Sequence, residues 1–524
     1  MPRTTRRLLA AAIISLASAS AYAAPAMQLA GTYATGLASG DGSLTSGETS
    51  AVVGNRLFVT NASDVSVDIV GIANPASPRF IKRVDLARFG SSVTSVAASA
   101  DGLVAVGVVG ATETAPGKVV FLGTGGVVRG VRQVGALPDM LTFTPDGSRL
   151  LVANEGQPDC YGPGCTDPRG SVSVIEVDTA LRRPGTVSTI GFRGLQRSDV
   201  PAELRIFGPG ATVAQDLEPE YIAVSDDGNS AWVTLQENNG VAVLDLQRGT
   251  VEAIWALGTK DHSLSGNGID ASDRDSSTIN IATRERVSGM YMPDAIATFS
   301  SGDTRYLVTA NEGDARDYPH PVDSAYDFSE ESRAKALSAT LPGIADIPGV
   351  TVDADLGRLT VTKFPPAGDD TRLYAFGARS VSIWDAGTGA LVWDSGDELE
   401  REVAARLPAD FNKSNDSNSG FDSRSDNKGP EPEGVAIGEI GGVTYAFVGM
   451  ERIGGIAVYD LTDPTAPVFS EFLINRDFTT STVGPDSGPE VLKFVPASSS
   501  PNGKAMLVVS NEITGTVSLW QPAN

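Results

Sequence analysis

Five times in 524 residues a Pro-Asp or Pro-Glu pair opens a short apolar run, a turn reverses the chain, and a second apolar run ends at a glutamate. Asp139 opens one such unit and Glu155 closes it. The other pairs are Glu220 with Glu237, Asp294 with Glu312, Glu433 with Glu451, and Glu490 with Glu512. The separations are 16, 17, 18, 18 and 22 residues, the length of two strands of about six residues and a turn. Pro145-Asp146-Gly147, Asp226-Asp227-Gly228, Ser301-Gly302-Asp303 and Pro501-Asn502-Gly503 supply the turn chemistry. Two further strands follow each hairpin, as in VAVLDL then TVEAIWAL. Three more units share the strands without the full acid pair, opening at Glu48, near Val93 and at Leu373.

Four-stranded repeats of this length bury their faces only against one another. The chain is therefore expected to be all-β, a closed β-propeller of about eight blades (seven to eight) with loop insertions. Repeat architecture overrides the usual length rule, so residues 24–524 are read as one domain. The last unit stops one strand short after Val517–Trp520, and Met27–Thr35 is expected to supply the missing strand and remove the open edge. Three insertions break the rhythm. Residues 259–288 are polar and acid-rich, residues 320–350 carry a helix near Glu330–Leu337, and residues 396–430 carry a helix near Asp397–Ala405. The loop after that second helix holds Asn412, Asn415, Asp416, Asp422 and Asp426. Loops this long in a compact domain are functional or disordered.

Arg3, Arg6 and Arg7, then Leu8–Leu16, then Ala21-Tyr22-Ala23 make a leader, residues 1–23, of either the general secretory or the twin-arginine kind. A periplasmic or secreted protein is expected after cleavage near Ala23. No later run is long and apolar enough to span a bilayer. The formal net charge is −24, and cleavage makes it three units more negative. That charge excludes nucleic acid and anionic lipid as partners and favours cations. A monomer is expected. Cys160 and Cys165 are an isolated pair in an exported chain, read as one disulfide, with two-thiolate metal binding as the weaker alternative. His262 and His320 are too few for most histidine chemistry, and no Gly-x-Ser-x-Gly elbow accompanies them.

In an antiparallel hairpin the start of strand one lies beside the end of strand two. The ten acids are thus expected at one mouth of a central channel, with Asp314, Asp317 and Glu431 near the same rim. Such a group repels itself unless cations intervene or protons are taken up. Oxygen donors of this kind suit Ca²⁺, and zinc is disfavoured by the shortage of His and Cys. The alternative is that each acid only caps a turn. No EF-hand loop is present.

ANEG (153–156), DLEPEYIAVS (216–225), MPDAI (292–296), TANEGDARDY (309–318), FDSRSDNKGPEPEGV (421–435) and SNEITGTVS (510–518) resemble the choice-of-anchor I family. The resemblance covers the mature chain and implies an exported, calcium-linked propeller, with phosphomonoesterase activity in some members. Members often end in an anchoring segment. This chain ends with the propeller and is expected free in the periplasm or medium. Two functions follow. One is a metal-dependent phosphomonoesterase, alkaline phosphatase- or phytase-like, acting on a phosphorylated small molecule. Arg316 and Arg424 would be its phosphate clamps, and its catalytic residues are unassigned. The other is a non-catalytic calcium-dependent binding or surface scaffold protein. For each arginine the alternative is an ion pair with its neighbouring Asp.

Overall fold

The computed structural model describes residues 25–37 and 46–523. The expected leader lies outside the described residues. Among those residues seven four-stranded antiparallel sheets follow one another along the chain. Sheet 1 is Ser46–Val53, Arg56–Asn61, Ser66–Gly71 and Arg79–Asp85, and sheet 2 is Val93–Ala98, Leu103–Val108, Pro116–Gly123 and Val128–Ala136. Sheet 3 is Pro138–Phe143, Arg149–Asn154, Ser171–Asp178 and Arg183–Gly191, and sheet 4 is Ile222–Val224, Ser230–Leu235, Gly240–Asp245 and Thr250–Ala256. Sheet 5 is Ile296–Ser301, Thr304–Asn311, Ser380–Asp385 and Leu391–Asp394, and sheet 6 is Pro432–Ile440, Val443–Met450, Gly455–Asp460 and Val468–Ile474. Sheet 7 is Pro489–Val495, Met506–Asn511 and Thr516–Pro522, completed by Met27–Ala34 from the other end of the chain. Leu29 sits opposite Trp520 and Tyr33 opposite Val517.

None of these seven sheets has a core of its own. The buried apolar side chains lie between neighbours, because each strand alternates its side chains to both faces. Phe58 and Ile69 of sheet 1 pack with Val104 and Val120 of sheet 2. Phe121 of sheet 2 packs with Leu150 of sheet 3, Leu151 of sheet 3 with Val233 of sheet 4, and Trp232 of sheet 4 with Trp384 of sheet 5. Val308 of sheet 5 meets Tyr459 of sheet 6, and Phe447 of sheet 6 meets Leu507 of sheet 7. Val508 and Leu519 of sheet 7 pack against Leu57 and Val70 of sheet 1.

The separate unit expected at Leu373–Ser395 does not exist as one. Ser380–Asp385 pairs with Thr304–Asn311, so it is the third strand of sheet 5, delayed by an insertion. Leu373–Ala375 instead joins a five-stranded sheet with Thr259–Asp261, Val287–Met290, Thr360–Thr362 and Glu331–Arg333. A strand pattern does not reveal whether it starts a repeat or resumes one, which accounts for the extra unit in the sequence count. The helices fall near the expected places, at Ala334–Ser338 and Glu398–Arg406. Among the described residues no helix is long and apolar enough to cross a membrane.

Candidate metal centre

Four of the five opening acids, all but Glu220, are aimed by one local device. Leu137, Met292, Glu431 and Gly488 have φ of 47°, 43°, 51° and 72°, and each precedes the proline of a Pro-acid pair. The carbonyl of that left-handed residue accepts an amide from the end of strand two: Glu155 to Leu137 at 2.9 Å, Gly313 to Met292 at 3.0 Å, Glu451 to Glu431 at 2.8 Å and Glu512 to Gly488 at 2.8 Å. Proline fits the next position because it has no N–H to leave unpaired. The register then slips between Pro138 and Leu141, Pro432 and Val435, and Pro489 and Leu492. Asp139, Glu433 and Glu490 lie in those bulges, which re-aim a side chain away from the sheet's alternation.

Three of the five closing glutamates follow a clamped asparagine. Asn154 donates to Ser171 and Ser173, at 3.3 and 3.0 Å, and Asn311 to Ser380 and Ser382, at 3.1 and 2.7 Å. Asn511 donates to Ser518 at 3.3 Å. Each amide ties the end of strand two to strand three, and the next residue is Glu155, Glu312 or Glu512. Behind Glu312 the backbone is too tight for a side chain. A Cβ on Gly377, at φ +67°, would stand 2.0 Å from the Glu312 carbonyl oxygen.

Asp139, Asp294 and Glu490 line one cavity of about 140 Å³ together with Glu48, Tyr221 and Lys493. Carboxylate oxygens of Asp294, Glu312 and Glu433 lie within 4.8 Å of one another, and so do those of Glu312, Glu431 and Glu451. Burial, with neighbouring carboxylates adding to it, pushes Glu155, Glu220, Asp294, Glu433 and Glu490 well above the ordinary carboxylate range. Asp139 is pushed up to about 7, by burial and then by Glu237. Burial also raises Glu237, Glu451 and Glu512, against the opposing charge of Arg316 on the first and Arg452 on the others. Glu220 and Glu237 stand within hydrogen-bond reach of each other, as do Glu433 and Glu490. Two bare carboxylates repel at that range, so each contact requires a shared proton or a cation. Glu220, Glu237 and Glu433 each have a buried Oε2 with no hydrogen-bond partner. Those orphaned oxygens, all hard donors, fit a hard divalent ion.

The rest of the group is neutralised from within. Lys428 Nζ lies 2.7 Å from Glu312 and 3.0 Å from Glu431. Arg424 reaches Glu431 at 2.5 Å and Arg452 reaches it at 3.0 Å. Arg452 also pairs with Glu451 at 3.0 Å, and Gln236 donates to Glu312 at 2.9 Å. Burial alone would raise Glu431, but Lys428, Arg452 and Arg424 outweigh it and hold it at about 2. Sequence reasoning passed over Lys428 and Arg452. Their signal was available: Lys428 sits inside FDSRSDNKGPEPEGV and Arg452 directly follows Glu451.

Both expected phosphate clamps are engaged by acids. Arg316 is fully buried, with Nη1 2.6 Å from Asp216 and Nη2 2.9 Å from Glu218. No face of it is open to a ligand, because it balances two buried carboxylates. Its partner acids come from DLEPE, not from the neighbouring aspartates. The fork of Arg424 is taken by Glu431 through Nε and Nη2, at 3.0 and 2.5 Å. Asp314 is exposed at the rim, 3.8 Å from Lys428. Asp317 is exposed on a two-stranded ribbon, Asp317–Tyr318 with Phe328–Ser329, where its charge acts on Glu331. Cys160 and Cys165 are bonded to each other, with Cα atoms 5.3 Å apart, which removes the two-thiolate alternative.

A family model, the choice-of-anchor I domain, matches residues 49–464. Gigasin-3a of Magallana gigas is 33% identical over 190 residues, 33% of this chain and 67% of that protein. The mesenchyme-specific cell surface glycoprotein of Strongylocentrotus purpuratus is 30% identical over 295 residues, 48% of this chain. The match spans only 35% of that glycoprotein's length. Among solved structures, the Cps50 (Swd1) β-propeller domain of Myceliophteria thermophila aligns with 10% identity and a TM-score of 0.44, over 95% of this chain and 100% of its own.

Proposed function

The chain belongs to the choice-of-anchor I domain family, and from that premise we propose an exported, calcium-binding β-propeller that works as a surface or matrix scaffold. The observation that carries the reading is the set of buried, orphaned carboxylate oxygens on Glu220, Glu237 and Glu433. Asp139, Asp294 and Glu490 would complete the donors. On this reading the seven sheets are the blades of one closed propeller over residues 24–524, sealed by Met27–Ala34. The leader is cut near Ala23 and the mature monomer works in the periplasm or outside the cell. A relative named as a cell surface glycoprotein supports that placement.

A second reading is a phosphomonoesterase. The observation favouring it is the row of cations at the same rim, Arg424, Lys428 and Arg452, beside the metal donors. A bound Ca²⁺ would polarise a phosphoryl oxygen and lower the pKa of a water. Arg424 and Arg452, each about a fifth exposed, would hold the remaining phosphate oxygens after loosening from Glu431.

Equilibrium dialysis of the purified, metal-stripped protein against Ca²⁺, with parallel assays on aryl phosphate and phytate, separates these. Calcium retained without turnover is the expected result and supports the scaffold. Turnover that EDTA abolishes would move the assignment to the esterase. No retained calcium would remove both.

A further inference from the structure

A second group of acids lies away from the channel, between two insertions. Asp270 and Asp275 belong to GIDASDRDSS, and Asp422 opens the loop that runs to Glu431. Their carboxylate oxygens lie within 4.8 Å of one another. Two ligands on one Ca²⁺, each about 2.4 Å from the ion, are at most about that far apart. Asp422 is 1% exposed. Its Oδ1 accepts from Ser425, and its Oδ2 is buried with no partner. Asp275 has an orphaned buried Oδ2 as well. None of the three has an ion pair among the described residues. Arg379, which donates to the backbone carbonyls of Asp270, Ser425 and Asn427, has its charge committed to Glu400 at 2.8 Å. Burial, with the neighbouring carboxylates adding to it, pushes Asp422 up to about 8 and Asp270 up to about 6. Backbone amides of Asn280 and Ser272 donate to Asp270 at 2.6 and 3.4 Å and that of Thr278 to Asp275 at 3.1 Å, but no cationic side chain among the described residues pairs with the three.

We propose that Asp270, Asp275 and Asp422 form a separate structural Ca²⁺ site that fastens the 259–288 insertion to the 396–430 insertion. Oxygen donors alone, with no His or Cys in the group, select a hard cation. Asn412 of the same loop has a buried Oδ1 with no donor, so a further amide oxygen is at hand. Asn412 is tied to the group through Ser425, to which it donates at 2.8 Å. The consequence reaches the channel. Arg424 and Lys428 follow Asp422 in the same loop and deliver the positive charge that Glu431 and Glu312 depend on. Holding Asp422 in place holds that loop.

The proposal does not rest on calcium binding at the channel mouth, and local hydrogen exchange keeps the two apart. Full-length, metal-stripped protein is compared with and without millimolar Ca²⁺, peptide by peptide. Exchange across 270–280 and 412–428 is expected to slow by about tenfold or more on adding Ca²⁺. Asp275→Asn, at a half-buried position that should fold, is expected to lose that protection, and Asp422→Asn likewise. Glu220→Gln with Glu433→Gln should keep it. Protection that survives in Asp275→Asn and Asp422→Asn, or vanishes in the Glu220/Glu433 variant, would overturn the site. So would natural protein whose exchange in these peptides follows pH and ignores Ca²⁺, because a shared proton would then hold the cluster.

Discussion

Glu431 and Glu433 stand two residues apart at the entrance to one strand, both buried, and the protein treats them in opposite ways. Glu431 is held at about 2 and Glu433 is pushed well above its ordinary value. Burial raises both. The difference is counter-charge: Glu431 faces Lys428, Arg452 and Arg424, whereas Glu433 faces Glu490, Glu451 and Glu312. One side of the acid group is thus a finished ion-pair cluster. The other is a set of donors that needs something from solution, a proton or a metal ion. The same repeat supplies both sides, and the cations decide which is which: Arg424 and Lys428 from the 396–430 insertion, and Arg452 from just after the second strand of sheet 6.

Breaking the finished side should cost most. In Lys428→Met, Glu312 and Glu431 lose their shared ammonium in a buried place. Removing one partner of a buried pair costs about 3–5 kcal/mol. Denaturant unfolding in calcium-containing buffer should show a loss of that order, and adding Glu431→Gln should recover part of it. A loss under about 1 kcal/mol would mean that water or a metal ion replaces Lys428, and the two sides would not differ in kind.

The unfinished side should respond to metal. At a calcium concentration about a hundred times the dissociation constant, binding to the native state adds about 2.7 kcal/mol. The melting temperature in millimolar Ca²⁺ should exceed that in excess EDTA. In Glu220→Gln with Glu433→Gln the increment should shrink, while the metal-free form becomes more stable than the natural one, because crowded carboxylates are gone. An unchanged melting temperature for the natural protein would leave the acids sharing protons instead.

Acidity should separate the sides next. Asp139 and its neighbours have raised pKa values, so the native state binds more protons than the unfolded one. Their contribution is fully present below the unfolded value near 4 and is lost as pH rises through about 7. Glu431 has the opposite sign: its contribution is present above the unfolded value and is lost as pH falls towards about 2. Each extra proton bound is worth about 1.4 kcal/mol per pH unit. In EDTA, stability followed from pH 7.5 downward should first rise, by about 4 kcal/mol for Asp139 alone (about 1.4 kcal/mol over each of about three pH units), then fall below about pH 4. Calcium should flatten the upper limb and leave the lower one. A flat upper limb in EDTA would show that the mouth acids ionise freely in the native state.

The strands, the turns and the convergence of the acids were legible because they depend on local pattern: apolar alternation, Gly and Asp turns, and Pro-acid pairs at fixed distances. The joining of Met27–Ala34 to Thr516–Pro522 was legible from the missing strand. What escaped depends on long-range placement. Ser380–Asp385 joins a hairpin that ends at Asn311, and no local signal marks that return. Arg316 looked like a clamp because its buried partners, Asp216 and Glu218, lie about a hundred residues away. Lys428 and Arg452 escaped because the acids repeat and the cations do not.

The smallest effect tests whether exposure, and not mere nearness, defines the finished side. Asp314 is 3.8 Å from Lys428, yet its side chain is 61% exposed. Water screens that pair, and exposed pairs contribute about 0–1 kcal/mol. Lys428 already has Glu312 and Glu431 at shorter range, so it stays paired without Asp314. Asp314 also adds to the negative field that raises Glu155 and Glu237, and removing it relieves a little repulsion there. The two effects oppose each other. Asp314→Asn should therefore change unfolding free energy by no more than about 0.5 kcal/mol, while lowering calcium affinity only slightly. A loss of several kcal/mol would place Asp314 inside the ion-pair cluster and move the boundary between the two sides outward to the rim.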